Sequence, residues 1–204
     1  MKVNKYTAHP WHGIPSHAEN ETINAFIEIV PTDTVKYEID KESGFLKLDR
    51  PQKFSNIIPA LYGFIPRTYC AKHVAAYCMK KTGYTNIVGD GDPIDICVLT
   101  DKIIRNSNII VPAIAIGGFR MIDRGEADDK IIAVLNNDDV YQWKDLLDCP
   151  EGLVNRLKHY FLTYKQIPEG DPSDALVEIS HVYGAKEAQE IIAASQRDYA
   201  ENFQ

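Results

Sequence analysis

Short apolar runs separated by turn residues dominate the first two thirds of the chain. Residues 35–40 show the pattern most clearly, because apolar and charged side chains alternate there throughout, and a period of two predicts a strand with one buried face. Gly44 closes the polar stretch that follows and supplies the positive φ of a hairpin turn. Strands are predicted at residues 25–30, 35–40, 45–48, 59–66, 94–99, 109–116, 131–135 and 175–181.

The last third of the chain changes to helical periodicity. Residues 150–166 begin with a proline that suits a first helical turn, and they carry apolar side chains on one stripe. Residues 185–203 predict a longer helix, and a short helix is predicted at residues 139–147. Residues 68–88 are predicted to form a surface excursion with weak helical character. The inner face of the longest helix is predicted to consist of Ala188, Ile191, Ile192, Ser195 and Tyr199.

Many short strands followed by amphipathic helices favour a barrel or a sandwich. A chain of 204 residues is long enough to build one sizeable core. We interpret it as a single domain, residues 1–204, of the α+β class but mainly β, in which helices pack outside a β-barrel.

Net charge and cysteine content narrow the range of functions. The net charge of −7 argues against a broad surface for nucleic acid or for an anionic membrane. No apolar run is long enough for a transmembrane helix, and the N-terminus lacks the apolar core of a signal peptide. The four cysteines show no Cys-x-x-Cys spacing, which is typical of reduced thiols in a cytoplasmic protein.

The most informative segment places Asp90, Asp92 and Asp95 within six residues. Gly and Pro between them bend the backbone, so the three carboxylates can converge. Asp95 lies in an apolar run that predicts a buried strand, and an ionised carboxylate is rarely buried without a partner. Since no basic residue lies nearby in the sequence, a divalent cation such as Mg²⁺ is the simplest partner. The alternative, a solvated acidic turn, explains Asp90 and Asp92 but not Asp95.

Further charged and phenolic residues lie in other predicted elements. Taken alone, each has an ordinary structural explanation as a polar strand face, an acidic loop or aromatic packing. Together they suit a site at which divalent metals bind phosphate, because metals bridge phosphate oxygens while basic groups and phenols hold the remaining oxygens. These residues are Glu28, Lys36, Glu38, Arg50, Tyr62, Asp123, Asp128, Lys130, Tyr164 and Lys165.

The segment Asp-Gly-Asp-Pro-Ile-Asp-Ile at residues 90–96 resembles the signature of the soluble family I inorganic pyrophosphatases. Other segments follow in the order found in that family, namely residues 35–44, 49–50, 62–63, 123–130 and 164–165. The resemblance implies an OB-like five-stranded β-barrel with flanking helices. It also implies a homo-oligomer that hydrolyses pyrophosphate to two phosphates with several Mg²⁺ ions, for which Mn²⁺ is a substitute.

The resemblance also implies a role for each matching position. Asp92 is the expected general base, and Asp95 is expected to be shared between two metals. Glu28, from further out, and Glu38 are expected to act through water molecules on the metals. The expected metal ligands are Asp90, Asp95, Asp123 and Asp128. The side chains expected on the substrate side are Lys36, Glu38, Arg50, Tyr62, Lys130, Tyr164 and Lys165.

Three features depart from the family pattern. Ile58 stands where many bacterial members have tyrosine, and residues 68–89 are longer than in compact bacterial relatives. The N-terminal His-Pro-Trp-His at residues 9–12 lies outside the usual minimal pattern.

Two other functions remain open from the residues. A non-catalytic binding module on the same type of barrel predicts a basic groove with stacking aromatics, which the net charge of −7 disfavours. A calcium-binding structural protein explains the aspartates but leaves Lys36, Arg50 and Lys165 without a purpose.

Overall fold

Strands make up most of the regular structure in the computed structural model, which describes residues 8–18, 22–55, 57–165 and 177–204. The strands are β1 (Ile23–Ile29), β2 (Val35–Ile39), β3 (Leu46–Pro51), β4 (Leu61–Phe64), β5 (Val88–Gly89), β6 (Asp95–Leu99), β7 (Ile109–Asp123), β8 (Glu126–Ala127), β9 (Lys130–Leu135) and β10 (Val177–Gly184). The helices are α1 (Pro10–Gly13), α2 (Lys72–Thr82), α3 (Glu151–Thr163) and α4 (Ala185–Phe203).

Five of the strands pair in a closed ring. β1 pairs with β4, and β4 pairs with β6, both antiparallel. β6 continues in parallel to β9, β9 pairs antiparallel with β7, and β7 returns to β1. Each of the five therefore has a partner on both sides, as in a small closed barrel. The predicted mainly β, OB-like architecture with flanking helices is confirmed.

Most positions of the ring strands are buried on both faces, except in the first half of β7. Along β9, Ile131 and Ala133 join a cluster that includes buried side chains of α2 and α4, whereas Ile132 and Val134 join a cluster with α3. Burial on both faces explains why these strands are continuous apolar runs rather than alternating ones. Ile58, at the position where the family resemblance predicts tyrosine, is a buried core residue of the second cluster.

The β2–β3 hairpin stands beside the ring and follows the predicted alternation. Lys36 pairs with Arg50, and Glu38 pairs with Lys47 across the two strands. Gly44 has a φ of 75°, as the hairpin turn requires. The charged face of the hairpin is thereby presented next to β1.

β7 is longer than predicted, since it continues from the predicted end at residue 116 to Asp123. Gly117 and Gly118 end the apolar run in the sequence but not the strand. A Cβ at Gly117 would lie 2.3 Å from the carbonyl oxygen of Tyr183, so glycine permits the close approach of β10, which pairs with the second half of β7. This extension carries Asp123 to the cleft described below.

The prediction of a helix at residues 139–147 is wrong, because the structure has no α-helix there. Bends and irregular backbone occupy most of this segment, and a single 3-10 turn lies at Leu146–Asp148. The carboxylate of Asp138 accepts hydrogen bonds from the amides of Val140 and Tyr141, both at 2.8 Å. Aspartates that accept bonds from nearby amides compete with helical hydrogen bonding, and apolar spacing does not report this.

The other predicted helices are confirmed. α4 has the predicted bounds, and its predicted inner-face residues are buried. α3 begins directly after Pro150 and ends at Thr163, three residues before the predicted end at residue 166. Position 166 and positions 175–176, at the ends of two predicted elements, lie outside the described residues. All four cysteines are free thiols. Within the described ranges, no helix has the length and apolar content needed to cross a bilayer.

The predicted excursion at residues 68–88 contains α2, which packs on α4. The α2 N-terminus lacks a cap from its own N-cap residue, Ala71. Asp198 of α4 supplies the cap instead, because its buried carboxylate accepts hydrogen bonds from the amides of Ala71, His73 and Val74 at 2.9–3.1 Å. The excursion is thus tied to the body of the protein at its start.

Candidate active site

Every residue singled out from the sequence as a site candidate lines one cleft of about 840 Å³. The β2–β3 hairpin contributes Lys36, Glu38 and Arg50 to one wall, and the loop before β6 contributes Asp90 and Asp92. The remaining side chains come from β1, β4, β6, β7, the start of β9 with the residues just before it, and the two residues directly after α3. Closure of the ring therefore brings together residues that are far apart in the sequence.

Asp95 has a protein partner at the centre of the cleft. The parallel register of β6 and β9 places Asp95 beside Lys130, and the Lys130 ammonium contacts the carboxylates of both Asp95 and Asp128. Burial lowers the pKa of Lys130, but the two carboxylates outweigh burial and hold that pKa above its ordinary value. The basic partner of Asp95 therefore lies 35 positions away in the chain and not in the local sequence.

Carboxylates are crowded around this lysine. Burial, and next the negative charge of Asp128, raise the pKa of Asp90 to about 9. Burial raises the pKa of Asp128, Lys130 lowers it and Asp95 raises it again, to about 6. The two raised pKa values express first the burial of these carboxylates and then their mutual repulsion, and a bound cation would offset both.

The chemistry of this donor set fits a divalent metal. Asp90, Asp95 and Asp128 offer the hard oxygen ligands that Mg²⁺ and Mn²⁺ prefer. Within the described residues, no three carboxylate, imidazole or thiol groups are gathered at metal-ligand geometry; the Lys130 ammonium stands between Asp95 and Asp128 instead. Asp123, at the end of β7, is held by the Lys165 ammonium.

Glu28 connects β1 to the hairpin and faces the same cleft. Its buried carboxylate accepts a 2.6 Å hydrogen bond from the amide of Ile39. Burial, followed by the charge of Asp95, raises the pKa of Glu28 to about 8. The glutamate that interrupts the apolar β1 pattern is therefore a buried acid at the edge of the carboxylate cluster.

The hairpin wall is a chain of alternating charges. The Lys36 ammonium lies 2.9 Å from Glu38 and 3.2 Å from Asp49, and Asp49 also contacts Arg50. Burial lowers the pKa of Lys36, but Glu38 and then Asp49 outweigh it and raise that pKa above the ordinary value. Lys36 is consequently a fixed positive charge that faces the carboxylates across the cleft.

Two phenols complete the lining. Tyr62 is buried, and its phenol lies near the charge of Asp95. Burial, followed by the charge of Asp95, raises the pKa of Tyr62, so the phenol stays protonated and available as a donor. Tyr164 stacks on Tyr160 with ring centroids 5.0 Å apart, and the Lys165 ammonium lies 5.4 Å from the Tyr164 ring.

Asp92 lies at the mouth of the cleft, with 51% of its side chain exposed. Its amide donates to Asp90 Oδ1 at 2.9 Å, and its carbonyl oxygen accepts from the amide of Cys70 at 2.8 Å. The backbone of Asp92 is thus held from both sides, while its carboxylate contacts the ammonium of Lys41.

Sequence reasoning missed Lys41, which also lines the cleft. In the sequence it belongs to the polar stretch before Gly44, and its contact with Asp92 joins separate elements. Asp40, Glu42, Lys47, Lys53, Arg124 and Glu126 line the cleft as well. Of these, Arg124 and Glu126 belong to the segment 123–130, in which the sequence predicts only Asp123, Asp128 and Lys130 as site residues.

Known proteins with similar sequence and structure identify the family of this chain. The family model described as inorganic pyrophosphatase matches residues 25–200. An inorganic pyrophosphatase of Chlamydia muridarum is 50% identical over 199 residues, covering 96% of this chain and 95% of that protein. A soluble inorganic pyrophosphatase of Oryza sativa is 33% identical over 91% of this chain and 84% of its own length. The crystal structure of the Thermus thermophilus inorganic pyrophosphatase superposes with a TM-score of 0.72 at 28% identity, covering 92% of this chain and 97% of that one. The match spans the ring, the cleft and both long C-terminal helices, so the resemblance seen in the motifs is confirmed and the chain belongs to the inorganic pyrophosphatase family.

Proposed function

We propose that this protein hydrolyses inorganic pyrophosphate to two orthophosphates with the help of Mg²⁺, and that Mn²⁺ can replace Mg²⁺. The observation that carries the proposal is the lining of a cleft of about 840 Å³, in which crowded carboxylates lie beside the buried ammonium of Lys130 and the partly buried ammonium groups of Lys36 and Lys165. Carboxylates alone would repel a polyanion, and lysines alone would not hold metals. Both together suit a metal–pyrophosphate complex.

Four aspartates would hold the metals in this proposal, namely Asp90, Asp95, Asp123 and Asp128. When bound, divalent cations neutralise phosphate oxygens and lower the pKa of water. Glu28 and Glu38 would accept hydrogen bonds from water molecules held by these metals.

Asp92 would act as the general base. Its carboxylate would accept a proton from the attacking water, and its exposed position at the cleft mouth leaves an oxygen free for this step. Lys36 and Arg50 would neutralise the phosphate that leaves. Lys130, Lys165, Tyr62 and Tyr164 would donate hydrogen bonds to the remaining oxygens, and the raised pKa of Tyr62 keeps its proton in place.

Phosphate release from pyrophosphate tests the proposal, with Mg²⁺ or EDTA present and with ATP as a control substrate. Fast Mg²⁺-dependent release from pyrophosphate, with little from ATP, is expected. Asp92→Asn should keep its affinity for Mg²⁺, measured by calorimetry, but lose roughly 10²- to 10⁴-fold in kcat, the usual contribution of a general base. Near-normal turnover of Asp92→Asn would contradict the role of Asp92.

Absence of phosphate release with any divalent metal would contradict the catalytic proposal as a whole. A non-catalytic binding module on the same barrel would then take its place.

We also propose that the protein acts in the cytoplasm as a homo-oligomer of single-domain subunits. The four free thiols support a reducing compartment. Analytical ultracentrifugation tests the assembly, and a monomer at micromolar concentration would contradict it.

A further inference from the structure

The N-terminal His-Pro-Trp-His segment is built into the fold. Trp11 is only 2% exposed and packs with Tyr199 of α4 and neighbouring aromatic rings. Its indole Nε1 donates to the carbonyl oxygen of Thr68 at 2.8 Å, and its own carbonyl oxygen accepts from the amide of Arg67 at 2.9 Å. The N-terminal segment is therefore attached to Arg67 and Thr68 by hydrogen bonds and to α4 by an aromatic cluster.

His9 carries this anchorage to the hairpin turn. Its Nδ1 accepts from the amide of His12 at 3.4 Å, and its Nε2 donates to the carbonyl oxygen of Lys41 at 3.2 Å. A Cβ added at Gly44 would lie 2.8 Å from the His9 ring, so the ring packs directly against the turn. His9 thus fixes both ends of the turn between β2 and β3.

Lys41 connects the turn between β2 and β3 to Asp92, the proposed general base. Its ammonium contacts the carboxylate of Asp92 and donates to the carbonyl oxygen of Gly91 at 3.1 Å. On its other side, the same loop is held by Thr68, whose Oγ1 accepts from the amide of Ile94 at 3.0 Å. The loop that bears Asp92 is therefore held by Lys41 and by Thr68, and these two residues are hydrogen-bonded to His9 and to Trp11, respectively.

We propose that Lys41 is a positioning residue that holds the Asp92 carboxylate over the cleft, and that His9 keeps Lys41 in place. The inference rests on the proposed role of Asp92 as general base. A carboxylate with half of its surface exposed otherwise rotates among several side-chain conformers, and only some of these direct an oxygen into the cleft. Lys41 restricts Asp92 to one arrangement by a charge contact and anchors that contact on the backbone of Gly91.

Lys41→Met is the first variant to test, since it keeps the aliphatic side chain and removes the charge. We expect kcat for pyrophosphate to fall about 5- to 100-fold, the range expected when a reacting group is misplaced, while KM changes less than about twofold. Lys41→Arg should recover a large part of kcat, because it restores a cation. The matched control is Lys102→Met: this side chain is 56% exposed, against 52% for Lys41, and it pairs with Asp101 outside the cleft. Its kcat and KM should equal those of the wild type.

Combination with Asp92→Asn separates positioning from substrate binding. If Lys41 acts through Asp92, Lys41→Met should lower the residual kcat of Asp92→Asn by less than about twofold. A rise in KM with kcat unchanged would instead make Lys41 a phosphate-binding residue and overturn the inference. Wild-type kcat in Lys41→Met would overturn it as well.

His9→Ala tests the anchor, and it should lower kcat in the same direction as Lys41→Met without raising KM. Circular dichroism confirms that this variant is folded before its kinetics are compared, and Lys41→Met remains decisive if it is not. An inactive wild type would overturn the proposed function and this inference together, whereas an active wild type with fully active Lys41→Met would overturn the inference alone.

Discussion

Asp198→Ala is expected to destabilise the protein strongly, although Asp198 lies outside the cleft lining. The buried carboxylate of Asp198 is the acceptor for three amides at the start of α2. The Val74 amide is buried, and leaving such a donor unpaired costs about 1–3 kcal/mol. The other two amides are partly buried, and the loss of a helix cap adds about 1 kcal/mol. We therefore expect the free energy of unfolding to fall by about 2–4 kcal/mol.

Urea unfolding at fixed protein concentration measures this change. With a slope of about 2 kcal/mol per molar urea, typical of a small protein, the midpoint should fall by about 1–2 M. Asp198→Asn keeps one acceptor oxygen and should lose about half as much. The matched control is Glu201→Ala, which also contacts α2 through Lys72 and His73 but is exposed, so it should lower the midpoint much less than Asp198→Ala does. Equal midpoints for Asp198→Ala and Glu201→Ala would refute the capping argument.

Three further results are expected. Asp95→Ala should weaken both Mg²⁺ binding and turnover, and an unchanged Mg²⁺ dependence of the rate would contradict its assignment as a ligand. Added Ca²⁺ should inhibit, because Ca²⁺ takes more ligands in a looser geometry than Mg²⁺; full activity with Ca²⁺ alone would disagree with this reasoning. Burial raises the pKa of Asp138, but the hydrogen bonds from Thr100 and from the amides of Tyr141 and Val140 outweigh burial and lower that pKa to about 2. A depressed pKa stabilises the fold above the unfolded value of about 4, so Asp138→Asn should make the loss of stability between pH 4 and pH 2 shallower than in the wild type, as followed by thermal melts.

Local periodicity was enough to predict many of the elements. The alternation at residues 35–40, the positive φ at Gly44 and the bounds of α4 all follow from interactions within a few residues of one another. Regularly spaced apolar side chains predict a buried face because their spacing equals the repeat of the strand or helix that carries them. The prediction of a helix at residues 139–147 is wrong because it used apolar spacing alone. The carboxylate of Asp138 binds the amides of Val140 and Tyr141, and apolar spacing does not encode this competition with helical hydrogen bonds.

The sequence by itself determined which residue types are available at the cleft. The acidic segments, the lysines and the tyrosines stand in a fixed order in the chain, and the chemistry of a carboxylate, an ammonium or a phenol group is a property of the residue type. Only the tertiary structure decided which groups meet. Lys130 reaches Asp95 across 35 positions, Asp198 caps α2 from the far end of the chain, and His9 reaches the turn that bears Lys41. Each of these contacts depends on strand register or helix packing. Those are set by burial summed over the whole core rather than by any local pattern.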